Sequence, residues 1–180
     1  MNYNEFLKFI QTRRTIRKYK QKEINSENIE KILEAARWAP SWLNQQPWEF
    51  VLVKDIEKKK SIRKIYDEAR QELGLYNQDA SFLEIAFLIL VLADTEKKAP
   101  VIGTSLAMQN MILAAHSLEL GANIMGTPVS TDKSRSEMRK LFKIPEKYEM
   151  IALMAFGHPD ENPEPKPKRE NQEFVHLDKF

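Results

Sequence analysis

The sequence predicts a single α+β or α/β domain in which a small mixed sheet is flanked by helices. The chain has 180 residues, about the length of one domain. Segments with helical and strand periodicity alternate along it, and no segment repeats. Residues 86–93 form a continuous apolar run, which is typical of a strand that is covered on both faces.

Apolar residues at helical spacing predict five helices. These cover residues 3–11, 26–38, 55 to about 71, 105–120, and 131 or 132 to about 142. Asn25 or Ser26 can cap the second helix, and Pro40 marks its end. Asp55 can cap the third helix, and Gly121 is expected to stop the fourth.

Alternation of apolar residues and enrichment in β-formers predict the strands. These cover residues 48–53, 86–93, 123–126, 149–156 and 174–177. Four prolines lie between Pro159 and Pro167, and proline cannot donate to a sheet ladder. We therefore expect residues 158–180 to form an extended C-terminal arm of a single domain that spans residues 1–180.

The composition excludes several classes of protein. The 28 Lys and Arg residues nearly balance the 26 Asp and Glu residues, so the net charge of +2 argues against a dedicated nucleic-acid binder. The absence of Cys excludes disulfides, zinc–thiolate sites, iron–sulfur clusters and a thiol nucleophile. No signal peptide is visible at the N-terminus, and the apolar stretches are too short to span a membrane. A reducing, cytoplasmic location is the simplest expectation.

Motifs for phosphate loops, metal sites and hydrolase nucleophiles are also missing. The chain has five glycines and neither type of glycine-rich phosphate loop. His116, His158 and His176 stand far apart, so no metal site is expected. No serine lies in the small-residue elbow of a hydrolase.

A dense basic cluster, Arg13-Arg14-Thr15-Ile16-Arg17, follows the first predicted helix. Arginine forks form paired, charge-assisted hydrogen bonds with phosphate oxygens, and Thr15 can add another donor. A solvated basic face is the alternative interpretation, and it is the more common outcome for such a composition. Without a strong overall charge, the cluster suits one small phosphate better than a nucleic-acid polymer.

A rigid, irregular turn is predicted at residues 39–48, with the sequence APSWLNQQPW. Its three side-chain amides can offer a donor and an acceptor side by side to the edge of a planar heterocycle. Alternatively, Trp42 and Trp48 are core anchors and Asn44 only caps the turn.

At these two motifs the sequence resembles the FMN-dependent nitroreductase family, and the resemblance covers nearly the whole chain. The similar segments, in order, are RRTIR at 13–17, ILEAARWAPS at 32–41 with Asn44, Gln46, Pro47 and Trp48, the helix and glycine turn at 107–126, GHP at 157–159, and KPKR at 166–169 with EFVH at 173–176. One such motif is a weak signal, whereas five in register are a strong one.

The resemblance implies a three-layer α-β-α sandwich of the α+β class. It also implies a homodimer with two FMN sites at the subunit interface. By position, the residues that would hold FMN from one subunit are Arg13, Arg14, Thr15 and Arg17, with Lys166 and Lys168 completing the phosphate clamp. Lys168 stands where the family usually has Arg, which leaves Arg169 as the alternative.

The partner subunit would contribute residues of the 39–48 turn. By position these are Pro40, Ser41, Trp42 and Asn44, with Gln46 as a supporting residue or a ring contact. Trp42 and Leu43 fill positions that the family often gives to small residues, so we expect either a narrowed pocket or a flavin ring stacked on Trp42. The family's amide-and-lysine pair beside the pyrimidine is not found, and Gln71 or Asn77 is the candidate substitute.

The chemistry that the resemblance implies belongs to the cofactor. Hydride would pass from NADH or NADPH to flavin N5 and then, in a ping-pong sequence, to a small acceptor such as a nitroaromatic or a quinone. No catalytic acid or base is obligatory. A backbone N–H of Met125, Gly126 or Thr127 would lie near N5, and Arg17 would stabilise the reduced anion.

Two alternative functions use the same residues. One is a non-redox flavin-binding or storage protein, which would retain flavin without turnover. The other is a small interaction protein whose basic segment at residues 12–22 grips an acidic partner or RNA. Colourless protein with salt-sensitive RNA binding would support the second alternative.

Overall fold

A four-stranded sheet with helices on both faces forms the centre of the chain in the computed structural model, which describes residues 1–75 and 79–179. The strands are β1 (Trp48–Val53), β2 (Phe87–Asp94), β3 (Gly121–Met125) and β4 (Tyr148–Gly157). The predicted α+β class and its three layers are therefore confirmed.

The strands lie in the order β1-β2-β4-β3, and all three neighbouring pairs are antiparallel. The sequence predicted a mixed sheet, and this prediction is wrong for the four strands. Within the described residues, the one parallel pairing is an isolated bridge between Thr15 and Ala122. A parallel pair needs a connection that returns the chain to the same end of the sheet, and none of the three neighbouring pairs is joined in that way.

Five of the helices correspond to those that the periodicity of the sequence predicts, and the short helix at Phe82–Ile85 was not predicted. The helices are α1 (Tyr3–Thr12), α2 (Ser26–Arg37), α3 (Ile56–Glu72), α4 (Phe82–Ile85), α5 (Pro100–Ser117) and α6 (Asp132–Phe142). Short 3₁₀ turns lie at Trp42–Asn44, Thr127–Val129 and Asn171–Glu173. The side chains of Asn25, Asp55 and Thr131 accept hydrogen bonds from backbone N–H groups of the first turn, so each is the N-cap of its helix.

The fourth predicted helix, α5, begins and ends earlier than expected. Pro100 occupies its first turn, where a missing N–H costs nothing. The helix ends at Ser117, and Glu119 then adopts a left-handed backbone with φ of 58°. The prediction that Gly121 stops this helix is wrong, because Gly121 is the first residue of β3.

The predicted strand at residues 174–177 is also wrong. The chain forms the 3₁₀ turn Asn171–Glu173 just before it, and Phe174, Val175 and Leu177 are exposed. A strand needs a neighbour that satisfies its backbone hydrogen bonds, and this segment pairs with none of the four strands among the described residues.

Two apolar cores lie on opposite faces of the sheet. Alternate residues of β2 divide between them, because successive side chains of a strand point to opposite faces. Ile89 and Val91 pack with the buried residues of α2 and α5, whereas Leu88, Leu90 and Leu92 pack with those of α3 and α6. Within the described ranges, no helix has the length and apolarity that crossing a membrane requires.

Two glycines allow the segment after α1 to lie directly on the sheet. A Cβ atom on Gly121 would lie 2.7 Å from Ile16, and one on Gly157 would lie 2.6 Å from the Tyr19 ring. The buried Tyr19 hydroxyl donates to the carbonyls of Ile16, at 2.7 Å, and Ala155, at 3.2 Å. Burial raises the pKa of Tyr19, so this hydroxyl keeps its proton and its role as donor.

We expect Gly157→Ala to destabilise the fold by about 1–3 kcal/mol, because the new methyl group overlaps the Tyr19 ring. The measurement is the free energy of unfolding in urea. Gly126→Ala is the matched control, since its Cβ would meet only the Ser130 hydroxyl, at 3.7 Å. Equal stabilities of the two variants would contradict this account of the contact.

Candidate functional site

The basic segment after α1 lies against the segment that follows β4. Ile16 N–H donates to the Ala122 carbonyl of β3 at 3.1 Å. Lys20 N–H donates to the His158 carbonyl, and Asp160 N–H donates to the Lys18 carbonyl, each at 2.9 Å. These hydrogen bonds join the basic segment to residues 158–160 at the end of the sheet where β3 begins and β4 ends.

Glu161 and Arg14 fasten the two segments further. The Glu161 carboxylate accepts hydrogen bonds from the backbone N–H groups of Arg17 and Lys18. The Arg14 guanidinium donates to the carbonyls of Pro163, at 3.1 Å, and Gln11, at 2.6 Å. Because Pro163 stands three residues before Lys166, these contacts anchor the chain just ahead of the predicted phosphate clamp.

Four predicted site cations have side chains that make no ion pair, hydrogen bond or ring contact with the described part of the chain, whereas the Arg14 guanidinium donates to backbone carbonyls. They are Arg13, Arg17, Lys166 and Lys168, of which all but the half-buried Arg13 are exposed. Arg169 differs from them, because its guanidinium lies over the Phe174 ring at 5.2 Å from the centroid. The cationic side chains near both chain ends therefore suit an anionic ligand better than an internal partner.

A cavity of about 520 Å³ lies at the end of β3. It is lined by Arg17, Tyr66, Arg70, Gly74, Leu75, Asn123, Ile124, Met125, Gly126 and Thr127. The structure thus brings Arg17 and residues 125–127, which the resemblance assigned to the flavin, to the lining of one cavity. A volume of this size is typical of a small-molecule site.

Tyr66 and Arg70 in this cavity were not predicted from the sequence. Arg70 Nη1 donates to the Tyr66 hydroxyl at 3.2 Å, and the guanidinium lies 5.5 Å from the centre of the Tyr66 ring. Their spacing of four residues places both on one face of α3, which was the available signal. Arg70 is the residue before the predicted candidate Gln71, whereas the other candidate, Asn77, lies outside the described residues.

A smaller cavity of about 140 Å³ lies beside Arg13 and Arg14. His116 of α5 also lines it, and its Nε2 atom is 3.1 Å from the Thr12 hydroxyl oxygen. The imidazole ring packs against Phe9 with 4.8 Å between ring centroids. His116 therefore holds α1, and with it the start of the basic cluster, against α5.

The predicted turn residues lie apart from both cavities. Pro40, Ser41, Trp42, Asn44 and Gln46 line neither of them within one chain. Trp42 is 59% exposed, so it is not a core anchor. In contrast, Trp48 packs against the core on the α2 and α5 side, as the alternative interpretation of the turn expected.

Potential metal ligands do not converge in the structure. Among residues 1–75 and 79–179, no group of three or more His, Cys, Asp or Glu side chains could hold a metal ion.

Known proteins are similar to this chain over most of its length. A family profile described as Nitroreductase family matches residues 10–158. A protein of Methanothermobacter thermautotrophicus with the provisional name NADH dehydrogenase/NAD(P)H nitroreductase is 37% identical over 163 residues, covering 88% of this chain and 80% of that protein. An iodotyrosine deiodinase of Thermotoga neapolitana is 29% identical over 180 residues and covers 91% of each chain.

Solved structures share the fold. An FMN-dependent nitroreductase from Clostridium difficile superposes with a TM-score of 0.81 and 29% sequence identity. The alignment covers 97% of this chain and 99% of that chain. The architecture that the sequence predicted is therefore found over the full length of a related structure.

We expect the protein to lose stability as the pH falls below about 6.5, with His116 responsible for part of the loss. Burial lowers the pKa of His116, and the charges of Arg13 and Arg14 lower this pKa further. A hydrogen bond with the Phe9 backbone raises the pKa, but the net effect is a lowered value. The unfolded chain then binds the proton more readily than the folded chain, so acid favours unfolding. The measurement is the unfolding midpoint at pH 7 and pH 5.5, which should fall less in His116→Gln. Equal falls would contradict the assignment.

Proposed function

The chain belongs to the nitroreductase family and is an enzyme, and we propose that it is an FMN-dependent oxidoreductase that transfers hydride from NADH or NADPH to a small acceptor. A nitroaromatic or a quinone is the proposed acceptor class. The relatives include a protein named iodotyrosine deiodinase, so membership of the family does not by itself fix the acceptor.

One observation carries the proposal: Arg17 lines a cavity at the end of β3, and hydrogen bonds join the basic segment that holds Arg17 to the segment that leads to Lys166. Arg17 lines the cavity together with Gly126 and Thr127. The Arg14 guanidinium donates to the Pro163 carbonyl, and Lys18 N–H donates to the Glu161 carboxylate, so the segment that leads to Lys166 is held against the basic segment. A ligand with a phosphate at one end and a planar polar ring at the other matches this arrangement.

The chemistry of the donor set fits FMN. We assign Arg13, Thr15, Lys166 and Lys168 to the phosphate, because guanidinium, hydroxyl and ammonium groups all donate to phosphate oxygens. Lys168 is favoured over Arg169, whose guanidinium already lies over Phe174. Arg14 supports the site through its hydrogen bonds to backbone carbonyls.

The cavity residues fit the ring. Bound FMN would supply the hydride chemistry between NADH or NADPH and the acceptor, in a ping-pong sequence, so the chain need supply no acid or base. We assign backbone N–H groups of residues 125–127 as donors to the ring. Arg17 and Arg70 line the same cavity, so we assign them to stabilise a reduced, anionic ring.

We further propose a homodimer with the FMN site at the subunit interface. Apolar side chains on α5 are exposed in the single chain, among them Val101, Ile102 and Leu106. Burying such residues against a second copy is favourable. The second copy would bring Pro40, Ser41, Trp42, Asn44 and Gln46 to the flavin, and residues 158–180 would extend as an arm across the neighbour.

The visible absorption spectrum tests the function directly. We expect flavin bands from the purified protein and their loss when NADH or NADPH is added without oxygen. Flavin that is retained but not reduced would favour storage instead. Colourless protein with salt-sensitive RNA binding would contradict the proposal and favour the basic-segment alternative.

We expect Arg13→Ala to weaken FMN retention by about tenfold or more, since it removes a charge-assisted hydrogen bond to the phosphate. The measurement is flavin occupancy after dialysis, with Lys8→Ala as a control that removes one exposed charge from neighbouring α1. Full occupancy in Arg13→Ala would show that the phosphate lies elsewhere.

We expect Arg70→Gln to slow the reduction of bound flavin by NADH roughly tenfold or more, because one of two cations in the ring cavity is lost. Anaerobic stopped-flow absorbance gives this rate. Lys64→Gln makes the same change of charge at an exposed position of α3 outside the cavity, and it should reduce at the wild-type rate. A wild-type rate in Arg70→Gln would remove this residue from the site.

A further inference from the structure

The loop at residues 41–46 has an unusual backbone. Leu43, Asn44 and Gln46 have φ angles of 46°, 55° and 48°, although none of them is glycine. The left-handed region crowds the Cβ atom against the backbone, and only asparagine among these residues visits it with ease. Three such residues within four positions persist only where the surrounding structure over-determines them.

Hydrogen bonds within the loop account for part of this conformation. The Ser41 hydroxyl accepts from Gln46 N–H at 2.9 Å, and the Trp42 carbonyl accepts from Gln45 N–H at 2.9 Å. The Ser41 carbonyl also accepts from Asn44 N–H at 3.0 Å. These bonds shape the loop, but they do not fix where it lies on the protein.

Contacts with α5 and the residues before it fix the position of the loop. Ser41, at the start of the loop, and Pro47, just after its end, both pack on Gly103. A Cβ atom on Gly103 would lie 3.0 Å from Pro47 and 3.2 Å from Ser41. The half-buried Gln45 reaches out from the middle, and its Oε1 atom accepts from Lys98 N–H at 2.7 Å. For the described residues, this is the single side-chain hydrogen bond between the loop and the rest of the chain.

The hydrogen bond between Gln45 and Lys98, here called the clasp, holds the loop with most of its side chains exposed. Leu43 is 82% exposed and Asn44 is exposed beside Trp42, whereas Gln45 alone among residues 42–46 is not exposed. A loop free to relax would place these side chains differently, because its left-handed residues would return to more favourable backbone angles.

We propose that Gln45 is a positioning residue of the FMN site, holding the loop so that Asn44 and Trp42 are presented to the flavin of the partner subunit. The inference rests on the proposed function, because it takes that flavin as the group that the loop meets. In this proposal Gln45 acts through its hydrogen bond with Lys98 N–H and not by touching the cofactor.

The test compares Gln45→Ala, which removes the acceptor, with Gln45→Glu, which keeps an oxygen at the same position. In the protein without FMN, hydrogen exchange of the Lys98 and Gln46 amides should quicken by up to about tenfold in Gln45→Ala and return toward the wild-type rate in Gln45→Glu. With FMN added, the dissociation constant should rise about tenfold in the alanine variant, and the glutamate variant should restore most of the affinity.

Thr95→Val is the matched control. It removes a comparable hydrogen bond, from the Thr95 hydroxyl to the Lys147 carbonyl at 2.8 Å, without touching the loop. Its effect on the unfolding midpoint should be similar to that of Gln45→Ala, whereas its FMN affinity should match the wild type.

The outcomes separate the inference from the function on which it rests. Wild-type protein that binds no FMN would refute the proposed function, and unchanged amide exchange in Gln45→Ala would refute the clasp whether or not FMN binds. Faster exchange with unchanged FMN affinity would make Gln45 a structural residue only and overturn its positioning role. Faster exchange, weaker FMN binding and rescue by glutamate together support the inference.

Discussion

The close packing of the basic segment on two glycines of the sheet is the contact on which the rest of the site depends. Ile16 lies on Gly121 and Tyr19 lies on Gly157, at distances that leave no room for a Cβ atom. The Tyr19 hydroxyl also donates to the Ala155 carbonyl, so the segment is held by both packing and hydrogen bonds. The cationic residues around these anchors therefore extend from a backbone of fixed position.

A nearly balanced overall charge conceals a local excess of positive charge. The net charge of the chain is +2, and many of its charged residues form surface pairs along the helices, such as Lys31 with Glu27. Within the described ranges, Arg13, Arg17 and Lys166 are left out of such pairs. Because exposed pairs contribute little to stability, cations without a partner cost the fold little and stay available to a ligand.

The turn before β1 combines strain with support. Its ends rest on Gly103 and its middle is tied to Lys98, so the energetic cost of its left-handed residues is offset by contacts with the rest of the fold. Trp42 and Leu43 are therefore exposed on a backbone that these contacts hold in place. A second copy of the chain is what we propose such a surface meets.

Local patterns in the sequence determined the elements and the segments that carry the site. The strand at residues 48–53 and the cap Asp55 were predicted as they occur, and the cap Asn25 was one of two candidates, because periodicity and capping depend on neighbours along the chain. The family motifs predict which segments supply cations to a ligand, and this assignment stays a prediction. Only the tertiary structure decided that Arg70 joins Arg17 in one cavity and that the sheet is antiparallel. Both depend on how distant segments pack together, which no local pattern encodes.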